Sequence, residues 1–223
     1  MGEITRHSVI NQIIEKYNLV NPNYLEIGVM AGGTFKNVNS TNKDGVDPDL
    51  YGNCCELVNY KMLSDDFFAN HISKKYDIIF VDGLHTAHQV SVDIYNSIKN
   101  LSDGGWIILD DVFPHNELEQ DPFYMYKSGP QTGDVWKAVY NIWDDIIEMS
   151  NVIHFFPNTE RGFLVFKLKP NNTKNITVDD SIPKCNVDGL SQLGDVADWK
   201  KYSYKKDFND YFVKLCKYLT KSL

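Results

Sequence analysis

The sequence YDIIFVDGLH, residues 76–85, contains the clearest strand of the chain and two candidate site residues directly after it. Residues 76–81 form an apolar run that is too short for a helix and rich in β-forming side chains. The run ends at Asp82, and an amphipathic helix is predicted from about Thr86 to Asn100. A buried strand that leads through a polar turn into a helix is typical of α/β proteins.

The same alternation of short apolar strands and helices continues on both sides of this segment. The predicted strands are residues 24–28, 45–47, 57–63, 76–81, 106–109, 152–156 and 162–168, and the predicted helices are residues 4–17, 86–100, 135–146 and 207–219, with Asp134 as the cap of the third helix. This order predicts an α/β fold with a mostly parallel, seven-stranded sheet and helices on both faces. Only residues 157–161 separate the last two strands, so this pair is predicted to be antiparallel.

The composition limits the partners and the location of such a protein. The 223 residues include 30 acidic and 22 basic side chains, with a formal charge of −8. Nucleic-acid and anionic-membrane partners are therefore not expected, because both need clustered Lys and Arg. The N-terminus lacks the apolar core of a signal peptide. Cys54, Cys55, Cys185 and Cys216 form no Cys-x-x-Cys pair, so we expect reduced thiols and a cytoplasmic location.

The glycine-rich turn after the first predicted strand indicates a cofactor site. The segment EIGVMAGG, residues 26–33, has Met30 where a dinucleotide fingerprint needs a second glycine beside the pyrophosphate. This disfavours NAD, and a ligand without a pyrophosphate fits the turn better. Asp47 lies 19 positions after Gly28, where a carboxylate can accept both ribose hydroxyls of an adenosine cofactor. The alternative is a turn aspartate before Pro48.

These two turns and four later segments resemble class I S-adenosylmethionine-dependent methyltransferases. The later segments are MLSDDFF (62–68), IFVDGLHT (79–86), DGGWIILDD (103–111) and TGDVWK (132–137). In this order and spacing they are similar to a branch of small O-methyltransferases with a V-D-G-x-H strand end, many of which modify sugar or macrolide-sugar hydroxyls. The resemblance covers about residues 20–168.

The resemblance implies how S-adenosylmethionine would be bound. The glycine turn would hold the methionine part, Asp47 the ribose, and Ser64 with Asp65 the adenine. For Ser64 and Asp65, an ordinary helix N-cap with an acidic first turn is the alternative. The cofactor-binding residues implied in this way are Glu26, Gly28, Met30, Gly32, Asp47, Ser64, Asp65 and Asp82.

Three carboxylates follow two strands that are neighbours in the sheet of this family. Asp82 follows one strand, and Asp110 and Asp111 follow the other, so the resemblance implies that they meet at one edge. Such carboxylates repel each other, and a divalent cation with oxygen ligands, Mg²⁺ or Mn²⁺, relieves the repulsion. A loop cap by Asp110 or Asp111 is the alternative. The branch often has His-Asp at this point, and the Asp-Asp of this chain resembles its metal-using members.

His85 is the candidate general base, with Asp82 beside it in the catalytic group. A hydroxyl must lose a proton to accept a methyl group, and histidine is the usual side chain that titrates near neutral pH. In related sugar methyltransferases the equivalent histidine is the proposed base. His88 lies one turn further along, where we expect a structural role, and a zinc site of Asp82, His85 and His88 would lack a fourth ligand nearby.

The segment from Val112 to Gly133 is rich in aromatic residues and Pro, and it has no predicted regular structure. Loops of this length are typical of lids and binding elements, and its aromatic rings, Phe123, Tyr124 and Tyr126 among them, suit stacking on a sugar. Two candidate substrate contacts follow. Lys137 could reach a phosphate or carboxylate, and Trp136 either contacts substrate or packs in the core.

The sequence therefore predicts a Rossmann-like, S-adenosylmethionine-dependent O-methyltransferase, assisted by Mg²⁺ or Mn²⁺ and acting on a hydroxyl of a small molecule or sugar precursor. The alternatives are an NAD-linked sugar oxidoreductase and a non-catalytic, cofactor-binding scaffold. We expect an N-terminal helix in residues 1–20, the cofactor-binding domain in residues 21–169, and a loop-and-helix extension in residues 170–223. A homo-oligomer is left open.

Overall fold

The computed structural model of the protein describes residues 4–49, 52, 54–116, 118–120, 132–157, 161–174, 176–178 and 205–219. Within them the chain forms a six-stranded sheet with helices on both faces. The elements are α1 (Arg6–Lys16), β1 (Tyr24–Ile27), a 3-10 turn (Phe35–Asn37), β2 (Lys43–Val46), α2 (Ser64–Asn70), β3 (Tyr76–Val81), α3 (Ala87–Asn100), β4 (Leu101–Leu109), α4 (Val135–Asn141), α5 (Trp143–Met149), β5 (Ser150–Phe156), β6 (Phe163–Leu168) and α6 (Lys205–Cys216).

The strand order is β2-β1-β3-β4-β6-β5, and the first four strands are parallel. Strand β6 runs antiparallel to both of its neighbours. The mostly parallel, Rossmann-like sheet and its antiparallel end are thus confirmed. Because β3 and β4 are paired, the two strands that precede the candidate carboxylates are neighbours, as expected.

The strand predicted at residues 57–63 does not form, which leaves six strands rather than seven. Tyr60 makes a single isolated bridge to Val46, and the chain then enters α2 at Ser64. Leu57 and Leu63 are exposed, whereas Val58 is buried and Tyr60 and Met62 are partly buried, so the segment packs against the core without forming a strand. Because α2 starts at Ser64, too few residues follow this bridge for the pairing to continue as a strand.

Alternation along the strands supplies two separate cores, one on each face of the sheet. In β3, Ile79 packs into the core formed with α2 to α6, whereas Ile78 and Phe80 pack against α1. From α6, Tyr211 is fully buried, and its hydroxyl donates to the carbonyl oxygen of Val112 at 2.9 Å. The helices expected as terminal extensions are therefore parts of the two cores. No helix of the described chain is both long and apolar enough to cross a bilayer.

The parallel register lines up the residues that follow β2, β1, β3 and β4. Ile27 is paired with both Val46 and Val81, and Val81 is paired with Leu109. Ladder hydrogen bonds continue one residue further, since the N–H groups of Gly28, Asp82 and Asp110 each donate to the last residue of a neighbouring strand. Gly28, Asp47, Asp82 and Asp110 therefore form a row at the carboxyl edge, where open α/β sheets bind their ligands.

Candidate active site at the carboxyl edge

The carboxyl ends of β3 and β4 bring two carboxylates and a histidine together. The Nε2 atom of His85 lies 3.4 Å from Oδ1 of Asp82 and 3.1 Å from Oδ2 of Asp111. One candidate ligand atom from each of the three residues lies within 4.8 Å of the other two. The sequence predicted His85 as the base and Asp82, Asp110 and Asp111 as the metal ligands; these roles stay predictions.

Asp110 is not part of this group, and it is bound by two protein donors. Its Oδ1 accepts the N–H of Asp111 at 2.8 Å, and its Oδ2 contacts Nε of Arg6 in a short ion pair. Arg6 Nε also lies 3.7 Å from Oδ2 of Asp82. Both oxygens of Asp110 are therefore engaged, and the sequence interpretation missed the cation that engages one of them. The ligand role predicted for Asp110 stays a prediction.

Burial sets the protonation of this cluster. It raises the pKa of Asp110, and the charges of Asp111 and Asp82 raise it further, whereas the ion pair with Arg6 lowers it and favours the carboxylate. Burial also raises the pKa of Asp111 to about 6, an effect that His85 opposes. For Arg6, burial disfavours the charge, but the carboxylates of Asp110 and Asp82 outweigh it and raise the guanidinium pKa. The cluster therefore favours cations strongly.

The backbone around His85 is held by the start of α4. Gly133 has φ +53°, and a Cβ there would lie 1.9 Å from the carbonyl oxygen of His85. The N–H of Asp134 donates to that same oxygen, and its Oδ1 accepts the N–H of Ala87 at 2.6 Å. Asp134 was predicted to cap its own helix. It is the N-cap residue of α4, as predicted, but its side chain makes no cap hydrogen bond there, and its buried carboxylate faces the first turn of α3 instead.

The glycine turn and Asp47 are linked by hydrogen bonds. Oδ2 of Asp47 accepts the N–H of Met30 at 2.7 Å, and Oδ1 accepts the N–H of Asp49 at 2.8 Å. Met30 has φ +48° and its side chain is 58% exposed at the rim. The turn role considered as an alternative for Asp47 is thus observed, and the ribose role stays a prediction. Gly32 has φ +79° and packs against Cys55.

Glu26 lies beneath the turn, inside the protein. Its side chain is 1% exposed, and its Oε2 accepts a hydrogen bond from the hydroxyl of Tyr24. Burial raises the pKa of Glu26 to about 8, while the Tyr24 hydrogen bond lowers it. Direct contact of this carboxyl group with a cofactor stays a prediction.

Ser64 and Asp65 join a polar cluster with two residues of α3 that sequence reasoning missed. Nε2 of Gln89 lies 3.3 Å from Ser64 Oγ, 3.0 Å from Asp65 Oδ1 and 3.2 Å from Asp93 Oδ1. Burial raises the pKa of Asp93 to about 7. The cap proposed at Ser64 is wrong because Leu63 is the N-cap residue, but the acidic first turn is present. The four-residue spacing of Gln89 and Asp93, which puts both on one face of α3, could have indicated this cluster from the sequence.

Neither candidate substrate contact is exposed in a cleft. Trp136 is 1% exposed, and its indole N–H donates to Oε1 of Gln120 at 3.0 Å, so the core packing considered for it is observed, and its substrate role stays a prediction. Nζ of Lys137 lies 3.4 Å from Oδ2 of Asp134, and its substrate role stays a prediction. Of the predicted loop aromatics, Phe123, Tyr124 and Tyr126 lie outside the described residues.

Comparison with known proteins adds a family match to this geometry. Residues 51–112 match the family model described as a methyltransferase domain. That stretch contains Asp82, His85, Asp110 and Asp111. It spans 62 of the 223 residues and supports the predicted methyltransferase domain. Among curated proteins, none matches the chain.

Several solved structures are similar to this chain at low identity. The O-methyltransferase from Bacillus cereus in complex with SAH is 14% identical, with 72% of this chain and 79% of that chain covered and a TM-score of 0.48. The SAH-bound Podospora anserina methyltransferase PaMTH1 is 13% identical, with coverage of 74% and 78% and a TM-score of 0.49. TomG from Streptomyces achromogenes, in complex with SAM, is 12% identical, with coverage of 72% and 87% and a TM-score of 0.46. Identities this low assign no substrate.

Proposed function

We propose that this chain is an S-adenosylmethionine-dependent O-methyltransferase whose acceptor is a hydroxyl of a small molecule or sugar precursor. One observation carries the proposal: Gly28 and Asp47 stand in the same register row as Asp82 and Asp110. An adenosine-binding turn and a cation-binding, proton-accepting group thereby share one edge of the sheet. The match of residues 51–112 to a methyltransferase domain supports the same function.

The residues at the edge fit the cofactor in their hydrogen-bonding capacity. Each oxygen of Asp47 accepts one backbone N–H and keeps lone-pair capacity for a ribose hydroxyl. A Cβ at Gly33 would meet no atom within 4 Å, so the turn leaves open space. Met30 projects from the rim where a dinucleotide pyrophosphate would approach, which fits S-adenosylmethionine better than NAD.

The chemistry asks little of the protein beyond alignment and one proton transfer. When bound, S-adenosylmethionine supplies a methyl group on a positively charged sulfur that leaves as a neutral thioether. Nε2 of His85 would take the acceptor's hydroxyl proton as the oxygen forms its bond to the methyl carbon. Asp82 and Asp111, which flank Nε2, would stabilise the imidazolium. Alignment of the acceptor oxygen, the methyl carbon and the sulfur supplies the rest of the rate enhancement.

Asp82, His85 and Asp111 also fit a divalent cation. Their contact distances of 3.1 and 3.4 Å are close to the roughly 3.0 Å between neighbouring ligands around Mg²⁺ or Mn²⁺. Such an ion would polarise the acceptor oxygen. These three residues would hold it, while the third carboxylate predicted from the sequence, Asp110, is paired with Arg6. His85 Nε2 cannot accept a proton while it binds a metal, so its two proposed roles exclude each other.

The test is transfer of labelled methyl from S-adenosylmethionine to a panel of sugar and phenolic hydroxyl acceptors, with His88 as the matched control. His85→Gln should reduce turnover about 10²–10⁴-fold, the usual contribution of a general base. His88→Gln removes a histidine one turn further along α3 and should retain turnover within about threefold. Equal turnover in both variants, or transfer to no acceptor by a chain that also fails to bind the cofactor, would contradict the proposal.

Saturating Mn²⁺ separates the two roles of His85. As a base, His85 is needed at every metal concentration, because a bound ion does not replace a side chain that accepts the proton. As a ligand, its loss weakens metal affinity, so high Mn²⁺ should restore turnover of His85→Gln. The measurement is turnover of this variant against Mn²⁺ concentration.

A further inference from the structure

Helix α1 packs on the face of the sheet opposite to α3, and its first residue, Arg6, contacts the carboxylates that follow β3 and β4. The helix begins at a capping box of Thr5 and Ser8, and Arg6 is its first residue. Val9, Ile10 and Ile13 are fully buried against the sheet, so both the start and the apolar face of α1 are fixed. The guanidinium position is therefore built into the fold and not a chance contact of a mobile surface chain.

The guanidinium neutralises one carboxylate of a group that holds three. Asp110 is almost completely buried, with 2% of its side chain exposed, whereas the Arg6 side chain is 31% exposed. Asp82 and Asp111 lie instead beside His85. The cluster therefore has two parts. Asp110 pairs with the guanidinium of Arg6, and Asp82, His85 and Asp111 form the group that could bind a metal ion.

We propose that Arg6 is a positioning residue that acts as an internal counter-ion of this cluster. By binding Asp110 it keeps that carboxylate out of the cation-binding group, and its charge weakens the affinity of Asp82, His85 and Asp111 for a divalent ion. The inference rests on the cation-binding group of the proposed function and not on methyl transfer itself.

The physical basis is the slow decay of charge interactions in a partly buried site. A guanidinium 3.7 Å from one oxygen of Asp82 lies within a few ångströms of any ion bound through that residue. Repulsion between like charges falls only with the inverse of their distance, and burial reduces the screening by water. Removal of this charge should therefore tighten divalent-ion binding by about tenfold or more. A residue that merely anchored α1 would have no such effect.

The experiment is the dissociation constant of Mn²⁺, measured from free Mn²⁺ by electron paramagnetic resonance. Arg6→Gln should lower it about tenfold or more, and Arg6→Lys, which keeps the charge, should stay close to wild type. Lys16→Gln is the matched control, because it removes one positive charge from the last turn of the same helix. An Arg6→Gln value equal to that of Lys16→Gln, weaker binding, or no Mn²⁺ binding at millimolar concentration would overturn the inference.

A second comparison keeps the test valid if an unpaired Asp110 impairs folding of Arg6→Gln. The double variant Arg6→Gln/Asp110→Asn buries no unpaired charge at this position. It should bind Mn²⁺ about tenfold more tightly than Asp110→Asn alone, and equal affinity of the two would overturn the inference.

Thermal stabilisation by SAH, measured on the same proteins, separates this inference from the proposed function. Mn²⁺ affinities as predicted without SAH stabilisation would leave the inference standing and remove the methyltransferase proposal. If SAH stabilises the protein but the variants at Arg6 do not change the Mn²⁺ affinity, the methyltransferase proposal stands and the inference about Arg6 is wrong.

Discussion

At the scale of the residue, Glu26 carries a proton that the unfolded chain would release. Its carboxyl group is buried in β1 beside the hydroxyl of Tyr24, and burial raises its pKa to about 8. The unfolded value for glutamate is about 4.3. Between these values the folded state binds more protons than the unfolded state, so this group's contribution to stability is complete below about pH 4 and disappears as the pH rises through 8.

Glu26→Gln should flatten the pH dependence of stability. Glutamine keeps the acceptor for Tyr24 and cannot titrate, so the slope of unfolding free energy between pH 5 and 8 should decrease by up to about 1.4 kcal/mol per pH unit. The measurement is urea unfolding at several pH values. Glu56→Gln, at an exposed glutamate, is the control and should follow the wild-type profile. Parallel profiles for wild type and Glu26→Gln would mean that Glu26 is ionised in the folded protein.

At the scale of the element, the ends of β1 and β3 approach so closely that only glycine fits between them. Gly28 has φ +85°, and a Cβ there would lie 1.9 Å from the carbonyl oxygen of Asp82. The same approach places the predicted cofactor turn beside Asp82, the first residue of the candidate catalytic group. The glycine predicted to cradle a cofactor thus also has a structural function, which the sequence pattern alone does not distinguish.

Gly28→Ala should destabilise the fold by about 3 kcal/mol, because backbone atoms must move and a positive φ must be kept without glycine. Gly33→Ala lies in the same turn, and its Cβ would meet nothing within 4 Å, so its effect should stay within about 0.5 kcal/mol. Urea unfolding of both variants measures the difference. Equal stabilities would show that β1 and β3 do not approach each other in this way.

At the scale of the whole molecule, the sheet was largely predictable because its signals are local. The short connection at 157–161 predicted the antiparallel end, and the family resemblance implied that β3 and β4 are neighbours; the strand order confirms both. The strand predicted at 57–63 was wrong because the apolar residues of this segment match a strand pattern, whereas α2 begins directly after it. Local patterns do not report where a helix start cuts a strand short.

The sequence predicted the candidate site residues that directly follow strands, but not those that distant helices contribute. Asp82, His85 and Asp111 meet because β3 and β4 are neighbours. Arg6 contacts Asp110 across 104 positions of sequence, and Asp134 caps α3 across 47 positions. Such contacts depend on how helices pack on the sheet, which no pattern within a short window specifies.

The most direct test of the central claim is calorimetric titration of SAH into the wild-type chain and into Asp47→Ala. If the edge of β1 and β2 binds adenosine, wild type should bind SAH, and loss of the ribose acceptor should weaken binding by about 1.5–3 kcal/mol, or roughly 10- to 150-fold. Asp66→Ala, which removes an exposed carboxylate of α2, should bind as wild type does. Absence of SAH binding, or NAD binding of equal affinity, would contradict the account.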